Sequence, residues 1–90
     1  MEKITFKSLP SYYIKEKSGI KNNTLRKKYL MSLTNDKRLD ILQKFNKNII
    51  TELEIEIQLA INIDESFVRK VTDVTEYEDF FIITWKHEEE

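Results

Sequence analysis

The residues with most to offer chemically are Gly19, Lys21, Thr24 and Arg26, spaced through the octapeptide Gly19-Ile20-Lys21-Asn22-Asn23-Thr24-Leu25-Arg26. A lysine whose pKa is lowered by burial can serve as a base, a threonine hydroxyl beside it as a nucleophile, and an arginine can fix an anion. With a carboxylic acid standing opposite, that set is sufficient for amide hydrolysis. Without activation, the same residues are a donor-rich wall suited to binding, since lysines and arginines in a basic loop are usually solvated. Nearby, Tyr12, Tyr13 and Tyr29 are interleaved with Lys15, Lys17, Lys27 and Lys28, a mixture that can stack on bases while neutralising phosphates. Core packing is the commoner fate of such tyrosines, and at least one of Tyr12 and Tyr13 is expected there. Glu52, Glu54 and Glu56 form a carboxylate row, most simply a solvated strand face. Its alternative reading is a surface that imitates nucleic acid or docks on a basic protein partner.

The elements that must position these groups follow from periodicity. Ile4 and Phe6 alternate with Lys3, Thr5 and Lys7, the period of a half-buried strand. Ser8-Leu9-Pro10 starts a helix over about 10–18, and Gly19 is placed to end it. In that helix Leu9, Tyr12, Tyr13 and Ile14 are expected inward and Lys15, Glu16 and Lys17 in water. A short strand is expected at Thr24–Arg26, then a basic stretch through Lys27 and Lys28. A second helix over about 35–46 begins at Thr34-Asn35-Asp36 and carries Leu39, Ile41, Leu42 and Phe45 at helical spacing. Residues 52–59 alternate without error and predict a strand; Asn62 to Glu65 has turn chemistry. Ser66 to Val74 reads as strand from its Phe and Val content, residues 76–79 as a loop, and residues 80–85 as a buried final strand. The order predicts an α+β domain with two short helices and an antiparallel sheet that is curled or barrel-like.

Composition bounds the chemistry. Ninety residues allow one core and one domain, drawn here as residues 1–86 with an acidic tail at 87–90. With no cysteine, disulfides, thiolate nucleophiles and cysteine-ligated metals are excluded. The lone His87 has no second histidine to complete a zinc site, so no metal and no cofactor are expected. No signal peptide or membrane-spanning run is visible, and the cytoplasm is the expected compartment. An exposed sheet edge leaves a homodimer open. The net charge of −1 conceals polarity: residues 1–48 hold 12 Lys/Arg and 4 Asp/Glu, a balance of +8, and residues 49–90 hold 3 and 12, a balance of −9. The first half therefore offers a basic face to phosphates, unless the halves neutralise each other in the fold.

The pattern Gly-x-Lys-x-x-Thr-x-Arg at residues 19–26, after a short strand and helix, resembles the signature of ASCH domains within the PUA-like fold. That resemblance implies a cleft beside a small β-barrel that takes RNA, a nucleotide or a nucleobase derivative. The expected ligand contacts are Gly19, Lys21, Arg26, Lys27, Lys28, Tyr29 and Tyr13. Some short members of the family are amidohydrolases of acetylated cytidine with a Lys, a Thr and a Glu as catalytic residues. By that resemblance Lys21 would be the base and Thr24 the nucleophile, with Glu76 (or Glu78) taking the place of the family's acid. Ser66 to Val74 is similar to the penultimate barrel strand of the family, and the whole chain looks like small proteins from phages of low-GC bacteria. The expectation is RNA, nucleotide or nucleobase binding; the alternatives are a protein-binding inhibitor of a host defence nucleic-acid enzyme, of anti-CRISPR type, and an acetylcytidine amidohydrolase.

Overall fold

A computed structural model describes residues 1–88; Glu89 and Glu90, the end of the expected tail, lie outside the described residues. The chain runs β1 (Glu2–Ser8), α1 (Pro10–Ser18), β2 (Asn23–Lys27), α2 (Lys28–Leu33), α3 (Lys37–Asn46), β3 (Leu53–Leu59), β4 (Asn62–Tyr77) and β5 (Phe80–Trp85). The five strands form one sheet in the order β1-β3-β4-β5-β2. It curls into a half-barrel, giving an α+β fold with three helices.

Two features depart from the expected architecture. The sheet is mixed and not antiparallel, because β1 pairs in parallel with β3, Ile4 opposite Ile55 and Phe6 opposite Ile57. Parallel neighbours need a long crossover, and here α1, β2, α2 and α3 supply it. The third helix is α2, formed by the basic stretch that sequence pattern left unassigned; it buries only Met31. The boundaries of α3 are set by Asp36, whose carboxylate accepts from the backbone N–H of Arg38 at 2.9 Å as an N-cap.

The curl comes from β4, which is 16 residues long and pairs with β3 through its first half and β5 through its second. Phe67, Arg69 and Val71 point inward with period two, but the next buried position is Val74. The register shift between Val71 and Asp73 accounts for the lost phase, since a bulge adds one residue, bends the strand and increases its twist. Asn62 to Glu65, expected as a turn, and Glu76-Tyr77, expected as loop, are instead the two ends of this strand. The turns shrink to Ala60-Ile61 and Glu78-Asp79.

The core joins Ile4 and Phe6 of β1, Leu53, Ile55 and Ile57 of β3, and Phe81, Ile83 and Trp85 of β5, closed by Leu42 of α3. Tyr13 enters from α1 and packs against Phe67 with ring centres 5.3 Å apart and the rings tilted by 58°. Charge from the two halves of the chain meets across the fold in the pairs Lys3–Glu56, Lys17–Glu65 and Lys28–Glu76. No helix among the described residues is long and apolar enough to cross a membrane.

Candidate functional site

β1 and β2 are the two edges of the half-barrel, and the segment from Gly19 to Arg26 runs along its mouth. Gly19 ends α1 in the left-handed region at φ 89°, a conformation that costs residues with a Cβ. A Cβ there would stand 2.8 Å from Cγ of His87. His87, expected in an exposed tail, is half-buried against that glycine. The turn continues with the Asn22 side chain donating to the Gly19 carbonyl at 3.0 Å and the Lys21 N–H donating to the Lys15 carbonyl at 3.0 Å. β2 then starts at Asn23, and the two asparagines do not interrupt the strand under Thr24.

Thr24 and Arg26, two residues apart, share a face of β2. The Arg26 guanidinium donates from Nε to the Thr24 hydroxyl at 3.1 Å and from Nη2 to the Lys7 carbonyl and Ser8 hydroxyl of β1, at 3.2 and 3.3 Å. Arg26 thus bridges the open seam between the two edge strands, lying over the Phe6 ring at 4.6 Å from its centre. Burial pulls its pKa down, Glu16 opposes that and Arg38 reinforces it; guanidinium stays cationic throughout the working range regardless.

Among the residues that sequence reasoning placed wrongly, Glu16 bears most on the site. It was expected in water; it is 1% exposed, while Tyr12 and Ile14 of the same helix and Leu9 just before it, expected inside, are more than half exposed. The inward stripe of α1 is Tyr13 and Glu16, three positions apart on one face. Glu16 Oε2 lies 3.4 Å from Lys21 Nζ, and Glu16 Oε1 is buried with no hydrogen-bond partner among the described residues. Lys21 Nζ also donates to the Asn23 carbonyl at 2.7 Å and sits 5.8 Å from the Tyr12 ring centre. Glu16, Lys21, Thr24, Arg26, Ser8 and Tyr12 line one concave cavity of about 460 Å³. The available signal was a single carboxylate at i+3 and i+4 from two tyrosines, surrounded in sequence by Lys15, Lys17 and Lys21.

The remaining expected residues are dispersed. Tyr13 belongs to the core. Glu76 lies 3.7 Å from Lys28 on the far strand and is not part of this cavity. Lys27 lies over Phe80 at 5.9 Å, Lys28 over Phe81 at 5.6 Å, and Tyr29 is exposed on α2. Gly19 shapes the turn and does not line the cavity. Of the acidic row, Glu52 precedes β3, Glu54 is in register with Lys3 and Lys70, and Glu56 pairs with Lys3 at 3.2 Å. Hydrogen bonds from Lys3 and Ser66 hold the Glu56 carboxyl below its ordinary value. No group of acidic and histidine side chains among the described residues is arranged to hold a metal ion.

Chemically, Glu16 lines the cavity beside the donors of Lys21 and Arg26 and carries one buried oxygen, Oε1, with no hydrogen-bond partner among the described residues. Base catalysis asks more: a nucleophile must be within reach of its base. Lys21 Nζ is turned to Glu16 and the Asn23 carbonyl, and the Thr24 oxygen accepts from Arg26. In comparison with known proteins, the chain matches no family model, no curated protein and no solved structure.

Proposed function

We propose that this chain is a nucleobase-binding domain on a PUA-like, ASCH-type half-barrel, with the base seated in the cavity between α1 and β2. The observation that carries the reading is the unpartnered Oε1 of Glu16 in the wall of a concave site. A buried polar atom without a partner is costly, and a ligand N–H removes that cost. Nucleobases set N–H donors beside carbonyl or ring-nitrogen acceptors. Glu16 accepts from the first, and Lys21 and Arg26 donate to the second. Tyr12, half exposed at the rim, supplies a ring face for stacking, the mode by which unpaired bases are usually held. The position of the Gly-x-Lys-x-x-Thr-x-Arg residues along the mouth of a half-barrel supports the ASCH-type assignment.

The donor and acceptor order makes the reading selective against anions without a proton, because an ionised carboxylate or a phosphodiester would face Glu16 with no proton to share. Titration of the 15N-labelled protein with each of the four ribonucleosides tests it. Saturable shifts at Glu16, Lys21 and Thr24 amides for at least one nucleoside are expected; shifts that are absent for all four at millimolar concentration refute the proposal.

A further inference from the structure

Across the Arg26 bridge lies a second cavity of about 430 Å³, and Arg26 and Lys7 line both. Its character differs. Among the described residues its charged lining is entirely cationic, namely Lys7, Arg26, Lys27 and Arg38, with Gln58 as a neutral donor and no carboxylate. Two guanidiniums approach one aromatic ring there: Arg26 is 4.6 Å and Arg38 4.3 Å from the centre of Phe6. Arg38 is fixed by the Asp36 carboxylate and by donation from Nη1 to the Thr5 carbonyl at 2.6 Å. Thr5 and Lys7 are alternate residues of β1, so Arg38 and Arg26 occupy consecutive outward carbonyls of that edge strand. Arg26 Nη1 has no hydrogen-bond partner among the described residues.

We infer that this second cavity is a phosphate subsite, so that the protein's ligand is a nucleotide whose base sits beside Glu16 and whose phosphate rests on Arg26, Arg38 and Lys27. The inference rests on the nucleobase reading for the first cavity and extends it. Like-charged guanidiniums held together by packing and by a neutral strand edge form a site that gains from a phosphate anion. Asp36 neutralises part of Arg38 but faces it from the α3 cap, outside the cavity lining. A nucleotide presents a base and a phosphate separated by one ribose, which matches two compartments sharing a single arginine wall. The phosphate can belong to a free nucleotide or to a single RNA strand; the chemistry recognised is the same.

The test compares each nucleoside with its 5′-monophosphate, with ribose 5-phosphate and with a trinucleotide, by calorimetry at two salt concentrations. The monophosphate is expected to bind about 10- to 100-fold more tightly than its nucleoside, the range for one or two charge-assisted hydrogen bonds, with only that increment sensitive to salt. In Arg38→Gln the ratio falls toward one, and in Lys27→Glu, an exposed position that tolerates change, it falls at least severalfold. Equal binding of nucleoside and monophosphate overturns the subsite and leaves the base reading intact. A wild-type increment that survives both substitutions overturns its location. Ribose 5-phosphate binding as tightly as the nucleotide, unaffected by Glu16→Gln, keeps the subsite and overturns the base reading. A trinucleotide that binds more tightly than the monophosphate assigns the phosphate to RNA; equal affinity assigns it to the free nucleotide.

Discussion

Replacing Glu16 by glutamine separates a carboxylate kept for a ligand from one kept for the fold. The substitution preserves shape and leaves an acceptor oxygen, but removes the charge. A hydrogen bond to a charged group contributes about 1.5–3 kcal/mol, so nucleoside affinity is expected to fall by about 10- to 150-fold. Stability should barely change. Glu16 is 1% exposed with one of its two oxygens unpartnered, and Lys21, with a side chain 30% exposed, keeps its bond to the Asn23 carbonyl. Removing a poorly compensated buried charge relieves desolvation, and the net change is expected within about 1 kcal/mol of zero. The converse substitution, Lys21→Met, leaves the carboxylate buried without its lysine and should cost about 3 kcal/mol or more. Urea unfolding reads the stabilities and nucleoside titration the affinities. The reasoning fails if Glu16→Gln loses 3 kcal/mol while the folded fraction binds nucleoside as tightly as wild type, because Glu16 would then be a structural partner of Lys21 alone.

Gly19→Ala is expected to lose about 1–2 kcal/mol from the left-handed φ alone, with a further loss from the 2.8 Å approach to His87; His87→Ala in the same chain should recover only the steric part in urea unfolding. Asp36, held below its ordinary pKa chiefly by its hydrogen bond from the Arg38 side chain, contributes stability that is present above the usual carboxylate range and lost as pH falls through its depressed value. Asp36→Ala should therefore cost about 0.5–2 kcal/mol at neutral pH, as N-cap losses do, and the deficit should shrink in acid; a deficit independent of pH argues against the pair. Incubation of the protein with N4-acetylcytidine should leave the acetyl group in place, since Lys21 and Thr24 are engaged elsewhere; acetate release abolished by Thr24→Ala would restore the hydrolase reading.

Local order was legible because local rules govern it. The error-free alternation of residues 52–59, the Pro10 to Gly19 frame of α1 and the apolar run 80–85 fix strand, helix and strand with little help from the rest of the chain. The hairpins were misjudged because Asn62 and Asp64 carry turn chemistry yet lie in a long strand, where Asn62 only caps the Asp64 N–H at 3.2 Å. α2 was missed because six residues with one buried side chain leave no periodic stripe to read.

The sequence by itself determined that Lys21, Thr24 and Arg26 would lie together, since they are separated by two or three residues on a turn and a strand. It also determined the absence of thiol chemistry and the uneven distribution of charge. Only the tertiary structure decided which carboxylate meets them. Glu76 and Glu16 are equally plausible as letters, but β4 carries Glu76 to Lys28, while the parallel docking of β1 on β3 lays α1 beside the open seam with Glu16 turned inward. Arg38 joins Arg26 for the same reason: an unpaired strand edge must have its carbonyls satisfied, and residues 12 apart in sequence reach the same edge only after the sheet has curled.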